Sequence, residues 1–221
     1  PNMTTGPVFG TGKRRENLVG YFAAVSAMDE QIGRILRRLE EKEPRRETIL
    51  IFTSDNGMSM GHHGVWGKGN GTFPMNMYDT AVRVPFLARW AGHIPPGRVT
   101  GELVSAYDMF PTLLELAGIS WQESGELPGR SFAKLLLSGD GCPEPADEER
   151  AVVVCDEYGP VRMVRTGDWK YIHCYPYGPH ALYDLRRDPG EERNLYGDPS
   201  YSGKVLELRG RLERWFERYA L

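Results

Sequence analysis

The sequence predicts an α/β fold: a parallel or mixed sheet flanked by helices, then a small antiparallel sheet with a terminal helix. Three observations predict it. Apolar residues fall at positions 18, 22, 25, 28, 32, 35, 36 and 39, the three-and-four spacing of an amphipathic helix. The run TILIF (Thr48–Phe52) is β-branched or apolar throughout and reads as a strand buried on both faces, as in a parallel sheet covered by helices. After residue 150 four short apolar runs succeed one another, AVVVC, VRMVRT, WKYIH and ALYDL, as antiparallel strands do.

The elements follow in order. The helix ends by Pro44, and a helix leading into a buried strand is half of a βαβ unit. RVPFLARW (Arg83–Trp90) is a second strand and GHIPPGRV a loop. VSAYDMFPTLLELAG holds a short helix, with Asp108 as N-cap, Pro111 in the first turn and Gly118 as the stop. SGDGCPEPADEER (Ser138–Arg150) is rich in Gly, Pro and acid and marks a boundary. Gly167-Asp168 signals a two-residue hairpin. Val205, Leu208, Leu212, Trp215, Phe216 and Tyr219 are spaced for a terminal helix packed on the last sheet. The expected organisation is residues 1–137 as an α/β portion, 138–150 as a linker and 151–221 as an α+β subdomain.

With 40% hydrophobic residues the 221-residue chain can form a substantial core. A net charge of -3 with no basic patch argues against nucleic-acid or membrane-surface partners, and no apolar run is long enough to span a bilayer. Cys142, Cys155 and Cys174 are odd in number and lack metal-site spacing, which indicates neither a disulfide framework nor a zinc site. The chain starts at Pro1 rather than Met, so a targeting segment is not legible and periplasmic, secreted and cytoplasmic locations all stay open.

The stretch TSDNGMSMGHHGVWGKGNGT (Thr53–Thr72) concentrates polar chemistry on a glycine-rich backbone. Ligands of open α/β sheets bind at the carboxyl ends of strands, which is where Asp55 and Asn56 fall. A carboxylate beside an amide oxygen suits a hard divalent cation, although Asp-Asn-Gly is by itself an ordinary turn. Lys68, between Gly67 and Gly69, can approach an anion closely, whereas the bland alternative is a solvated loop lysine. His62 and His63 are adjacent and point apart in most backbones, so at most one reaches a site; Trp66 suits a wall or a core position.

ILIFTSDNG, GHHGVWGKG, NMYDTAVRVPFLARWAGHIPPG, VSAYDMFPTLLELAGI and VRTGDWKYIH…ALYDLRRDPGEERNL, in that order, resemble the second half of a type I sulfatase. The resemblance implies an alkaline-phosphatase-like α/β fold. It also implies hydrolysis of sulfate esters, of sulfated sugars or aryl sulfates, by a formylglycine hydrate beside Ca2+, with Mg2+ a possible substitute. Asp55 and Asn56 match the metal-binding pair. Lys68 matches the lysine that contacts the sulfate and its ester oxygen, and His63 a substrate-contact histidine. The nucleophile motif, Cys or Ser-X-Pro-X-Arg, is absent: Cys174 is followed by Pro176, but Gly178 stands where Arg is required. The expectation is therefore a C-terminal fragment, inactive alone, whose partners are a sulfated small molecule or carbohydrate and the missing N-terminal half. The alternatives are a fragment of a phosphonate or phosphate monoester hydrolase, or a non-catalytic binding protein on the same scaffold.

Overall fold

The computed structural model describes residues 4–5, 14–42, 48–120, 125, 127–138, 150–156 and 159–219. Residues 139–149, nearly all of the expected linker, lie outside them. Two compact units divide the chain, Met3–Pro96 and Gly97–Leu221.

In the first unit, β1 (Thr4–Thr5) pairs with β5 (Thr72–Phe73), and α1 spans Arg14–Lys42. Glu16 in the first turn of α1 and Lys42 in the last complement the helix dipole. None of its 29 residues is buried; of the apolar stripe that predicts the helix, Phe22, Val25, Met28 and Ile35 are exposed and Leu18, Ile32, Leu36 and Leu39 are half-buried. An exposed Arg89–Glu40 pair at 3.4 Å ties α1 to the strand that ends at Arg89 and contributes little.

The TILIF run does form a strand, β2 (Leu50–Thr53), but not one buried on both faces. Its partner is β6 (Phe86–Arg89), the pairing is antiparallel, and Phe52 and Thr53 are exposed. An apolar run reaches two-sided burial only when further strands and helices cover it. Among the described residues β6 is its one strand neighbour. The remaining elements here are the hairpin β3 (Ser59–Met60) with β4 (Trp66–Gly67), and the short helix α2 (Asp79–Val82).

The Gly97–Leu221 unit opens with α3 (Met109–Leu116) and α4 (Ala133–Leu137). Asp108 is the N-cap of α3, as the sequence predicts, although its side chain makes no cap bond to that helix. A 3-10 turn over Ala106–Asp108 precedes α3, and its cap is Ser105: a capping box joins the two, and the Asp108 carboxylate accepts the Ser105 N–H at 2.7 Å. At the other end Gly118, as expected, stops the helix, with Gly118 N–H on Glu115 O and Ile119 N–H on Leu114 O. Asp108 is fully buried and also accepts the Arg130 N–H at 2.8 Å and an ion pair from Arg150, whose Nε donates to Leu103 O.

The four predicted strands appear as β7 (Val152–Cys155), β8 (Val161–Arg165), β9 (Trp169–Cys174) and β10 (Ala181–Asp184), an antiparallel meander in the order β10-β9-β8-β7. The Gly167-Asp168 hairpin is closed by the Thr166 N–H on Trp169 O at 2.8 Å. The terminal helix α5 (Ser202–Tyr219) lays Leu208 and Leu212 on Val153, Val164, Tyr171, Leu182 and Leu195. Lys170 and Glu191 form a buried ion pair at 2.6 Å that sequence patterning does not reveal.

His173 is 6% exposed, accepts or shares a hydrogen bond with Tyr171 Oη at 2.7 Å, and stacks on His180 with ring centres 4.1 Å apart. Burial, reinforced by His180 and Arg209, lowers its pKa to about 4, and burial also lowers that of His180. Below the ordinary histidine pKa of about 6.5 the unfolded chain takes up protons that the folded chain refuses, so stability falls as pH drops. For the buried His173 the expected slope is at most about 1.4 kcal/mol per pH unit between pH 6.5 and 4. Urea titrations at pH 7, 6 and 5 check this, and a His173→Asn variant should flatten the profile. A stability independent of pH in that window would contradict the neutral pair.

Candidate active site

Strand β2 ends at Thr53 and delivers Ser54, Asp55 and Asn56 into a tight turn. Ser54 Oγ donates to Asn56 O at 2.9 Å, and Asp55 Oδ1 accepts the Asn56 N–H at 2.9 Å. Asn56 Nδ2 is tied back to Gly57 O at 2.9 Å. The amide nitrogen is thereby occupied by the backbone. Asn56 Oδ1 and Asp55 Oδ2 have no donor among the described residues. This is the donor set that a hard divalent cation takes, one carboxylate and one amide oxygen on adjacent residues. The residues therefore fit such an ion, although two side chains fill only part of a shell of roughly six to eight oxygens.

Gly57 is required sterically. A Cβ there would lie 2.3 Å from Thr80 O, and its N–H bonds Ala81 O at 2.8 Å. Ser59, fully buried, adds a hydroxyl bond to Thr80 Oγ1 at 2.8 Å. The Asp-Asn-Gly turn is thus fastened to the helix formed by the YDTAV sequence rather than hanging free.

The β3–β4 hairpin then carries the chain to Lys68. Gly67, opposite Ser59, has φ 129, a backbone region open to glycine, and Lys68 follows it directly. Lys68 is exposed and starts a 3-10 turn over Gly69–Gly71, with the Gly71 N–H on Lys68 O at 2.8 Å. Its ammonium has no hydrogen-bond or ion-pair partner among the described residues. Asp55, Asn56 and Lys68 therefore belong to one continuous module, in which Ser59 is three residues beyond Asn56 and pairs next to Lys68.

The two histidines take different partners, as their adjacency implies. His62 Nδ1 accepts the Met60 N–H at 3.3 Å. His63 sits in the left-handed region (φ 53) with its ring stacked on buried Tyr78, centres 3.8 Å apart and planes 8° from parallel. A non-glycine residue held there is strained, and such strain clusters at functional sites. Cys174 lies buried at the end of β9, where burial, followed by Asp156, pushes its thiol up to about 11. At neutral pH that environment favours the thiol over the thiolate.

Residues 5–119 match the family described as Sulfatase. The chain belongs to the sulfatase family. It is 32% identical over 219 residues to N-acetylglucosamine-6-O-sulfatase of Bacteroides thetaiotaomicron, covering 94% of this chain and 37% of that protein. A solved structure described as a complex with its substrate D-glucosamine-2-N,6-O-disulfate superposes with a TM-score of 0.76 at 31% identity, over 90% of this chain and 40% of that one. The phosphonate monoester hydrolase of Agrobacterium radiobacter superposes less well, at 0.70 and 28% identity, over 88% and 40%. The α/β class expected from the sequence is that of these structures, and the chain spans about two fifths of the length of the relatives it matches.

Proposed function

We propose that this chain is the C-terminal part of a hydrolase of sulfate esters, acting on sulfated sugars or aryl sulfates. A formylglycine nucleophile would come from a segment outside these 221 residues. The observation that supports the reading most is the Asp55–Lys68 module. Among the described residues it presents two undonated oxygens on a turn locked to α2, and one unpaired ammonium beyond the β3–β4 hairpin. Asp55 and Asn56 would hold Ca2+, or Mg2+ in its place, and the ion would supply Lewis-acid polarisation of the sulfuryl oxygens. Lys68 would offset the charge that grows on the leaving oxygen, and His63, set by Tyr78, would contact the substrate. The partly exposed apolar stripe of α1 suits a covering N-terminal half, with residues 151–221 as the C-terminal subdomain.

The test joins the chain to the coding sequence upstream of Pro1 and measures sulfate release from nitrophenyl sulfate and sulfated N-acetylglucosamine, beside a phosphonate monoester. Sulfate esters should be preferred, and Lys68→Ala should lower kcat by about 100–1000-fold. An upstream sequence without the nucleophile motif, or full activity in the Lys68 variant, would overturn the reading.

A further inference from the structure

Lys68 has no side-chain partner among the described residues, so only its backbone can aim the ammonium, and that backbone lies among Gly67, Gly69 and Gly71. One buried side chain grips it from outside the run. Asn76 is 3% exposed. Its N–H donates to Gly69 O at 3.0 Å, and its Nδ2 donates to the same carbonyl and to Thr72 Oγ1, both at 3.2 Å. Thr72 Oγ1 has already given its hydrogen to Pro74 O at 2.7 Å, so toward Asn76 it can only accept. Gly69 O can only accept as well. Both partners demand a donor, which fixes the carboxamide with its NH2 toward the loop. The opposite atom, Asn76 Oδ1, is left buried without a hydrogen bond among the described residues. An unmet buried acceptor is costly and calls for an explanation. The explanation lies in the work of the NH2 group.

We propose that Asn76 is the positioning residue of Lys68: its NH2 clamps Gly69 O and Thr72 Oγ1 and so fixes the direction in which Lys68 leaves the backbone. The inference rests on the reading of Lys68 as the group that meets the leaving oxygen. Asn76 acts through the loop and touches no substrate. The Lys68–Gly71 turn bond holds the carbonyl of Lys68, and Asn76 holds the next carbonyl along, so the peptide planes after Lys68 are pinned in succession.

Two variants separate this role from packing. Asn76→Ala removes the donors and leaves a void, whereas Asn76→Asp keeps the shape but turns acceptors toward acceptors. In the 221-residue chain, amide exchange at Gly71 should rise by about 10–100-fold in both variants, while the amides of β8 and β9 stay unchanged. In the longer polypeptide, aryl sulfates with phenols of increasing pKa should show a growing deficit. The loss should be small for nitrophenol and about 100-fold for the poorest leaving group, because misplacement by about 1 Å removes help where charge on that oxygen is greatest. Asn76→Asp should regain rate as pH falls and its carboxyl can donate again, while Asn76→Ala should not. One uniform loss across all leaving groups, with the wild type active, would overturn the inference and leave the functional reading standing. Unchanged exchange at Gly71 would overturn it too. A wild-type polypeptide that releases no sulfate from any ester would overturn both.

Discussion

Asp108→Ala is expected to destabilise the Gly97–Leu221 unit by about 3–5 kcal/mol, the cost of removing one partner from a buried charge pair. The carboxylate is fully buried and meets three groups: the Ser105 N–H, the Arg130 N–H and the Arg150 guanidinium. Alanine would leave two backbone donors unmet, at about 1–3 kcal/mol each, and strand a guanidinium that is only partly exposed. It would also remove one half of the capping box ahead of α3. The carboxamide introduced by Asp108→Asn could still accept from one of the N–H groups, so that substitution should cost less than alanine. A double variant with Arg150→Met should recover part of the loss, because the uncompensated charge is gone. Urea titration of the wild type, the two single variants and the double variant gives the coupling directly. A loss below about 1 kcal/mol for Asp108→Ala would mean that water replaces the carboxylate.

Asp108 also shows where sequence reading stops. Its helix was legible from spacing, and Gly118 as its stop, because both are signals within one turn of the chain. The carboxylate itself looked like a local cap. Its decisive partners, Arg130 and Arg150, lie 22 and 42 residues away, and no short-range pattern encodes them. Lys170 and Glu191 are a similar case: a lysine in a strand and a glutamate in a charged loop carry no local signal of pairing until the fold brings them together. TILIF is a strand as expected, but its expected two-sided burial failed for a different reason. Apolar content predicts burial only if the covering elements are present, and β2 has one strand neighbour among the described residues. The Asp55–Lys68 module was the most legible part of the candidate site, because its residue types and its glycines are contiguous. Asn76 was not, since an asparagine in NMYDT carries no signal that it reaches back to Gly69.

The 221 residues by themselves should release no sulfate from an aryl sulfate, with or without Ca2+. A covalent nucleophile divides one difficult displacement into two easier ones, and the remaining groups can only bind and polarise. In the proposed function Asp55, Asn56 and Lys68 are of that second kind. Cys174 is the one cysteine here with a proline two residues on, yet it is buried, with its thiol pushed up to about 11, and Gly178 stands where the motif needs arginine. Cation affinity should also be weak, because two side-chain oxygens leave most of a shell of roughly six to eight ligands to water. The measurement adds millimolar Ca2+ to the purified chain and follows a chromogenic sulfate beside the longer polypeptide. Turnover comparable to that polypeptide would place the nucleophile within this chain, and Cys174→Ser would then be the first variant to assay. A rate that stays at buffer background until the upstream segment is joined would place the attacking group in that segment, and leave polarisation and leaving-group stabilisation to Asp55, Asn56 and Lys68.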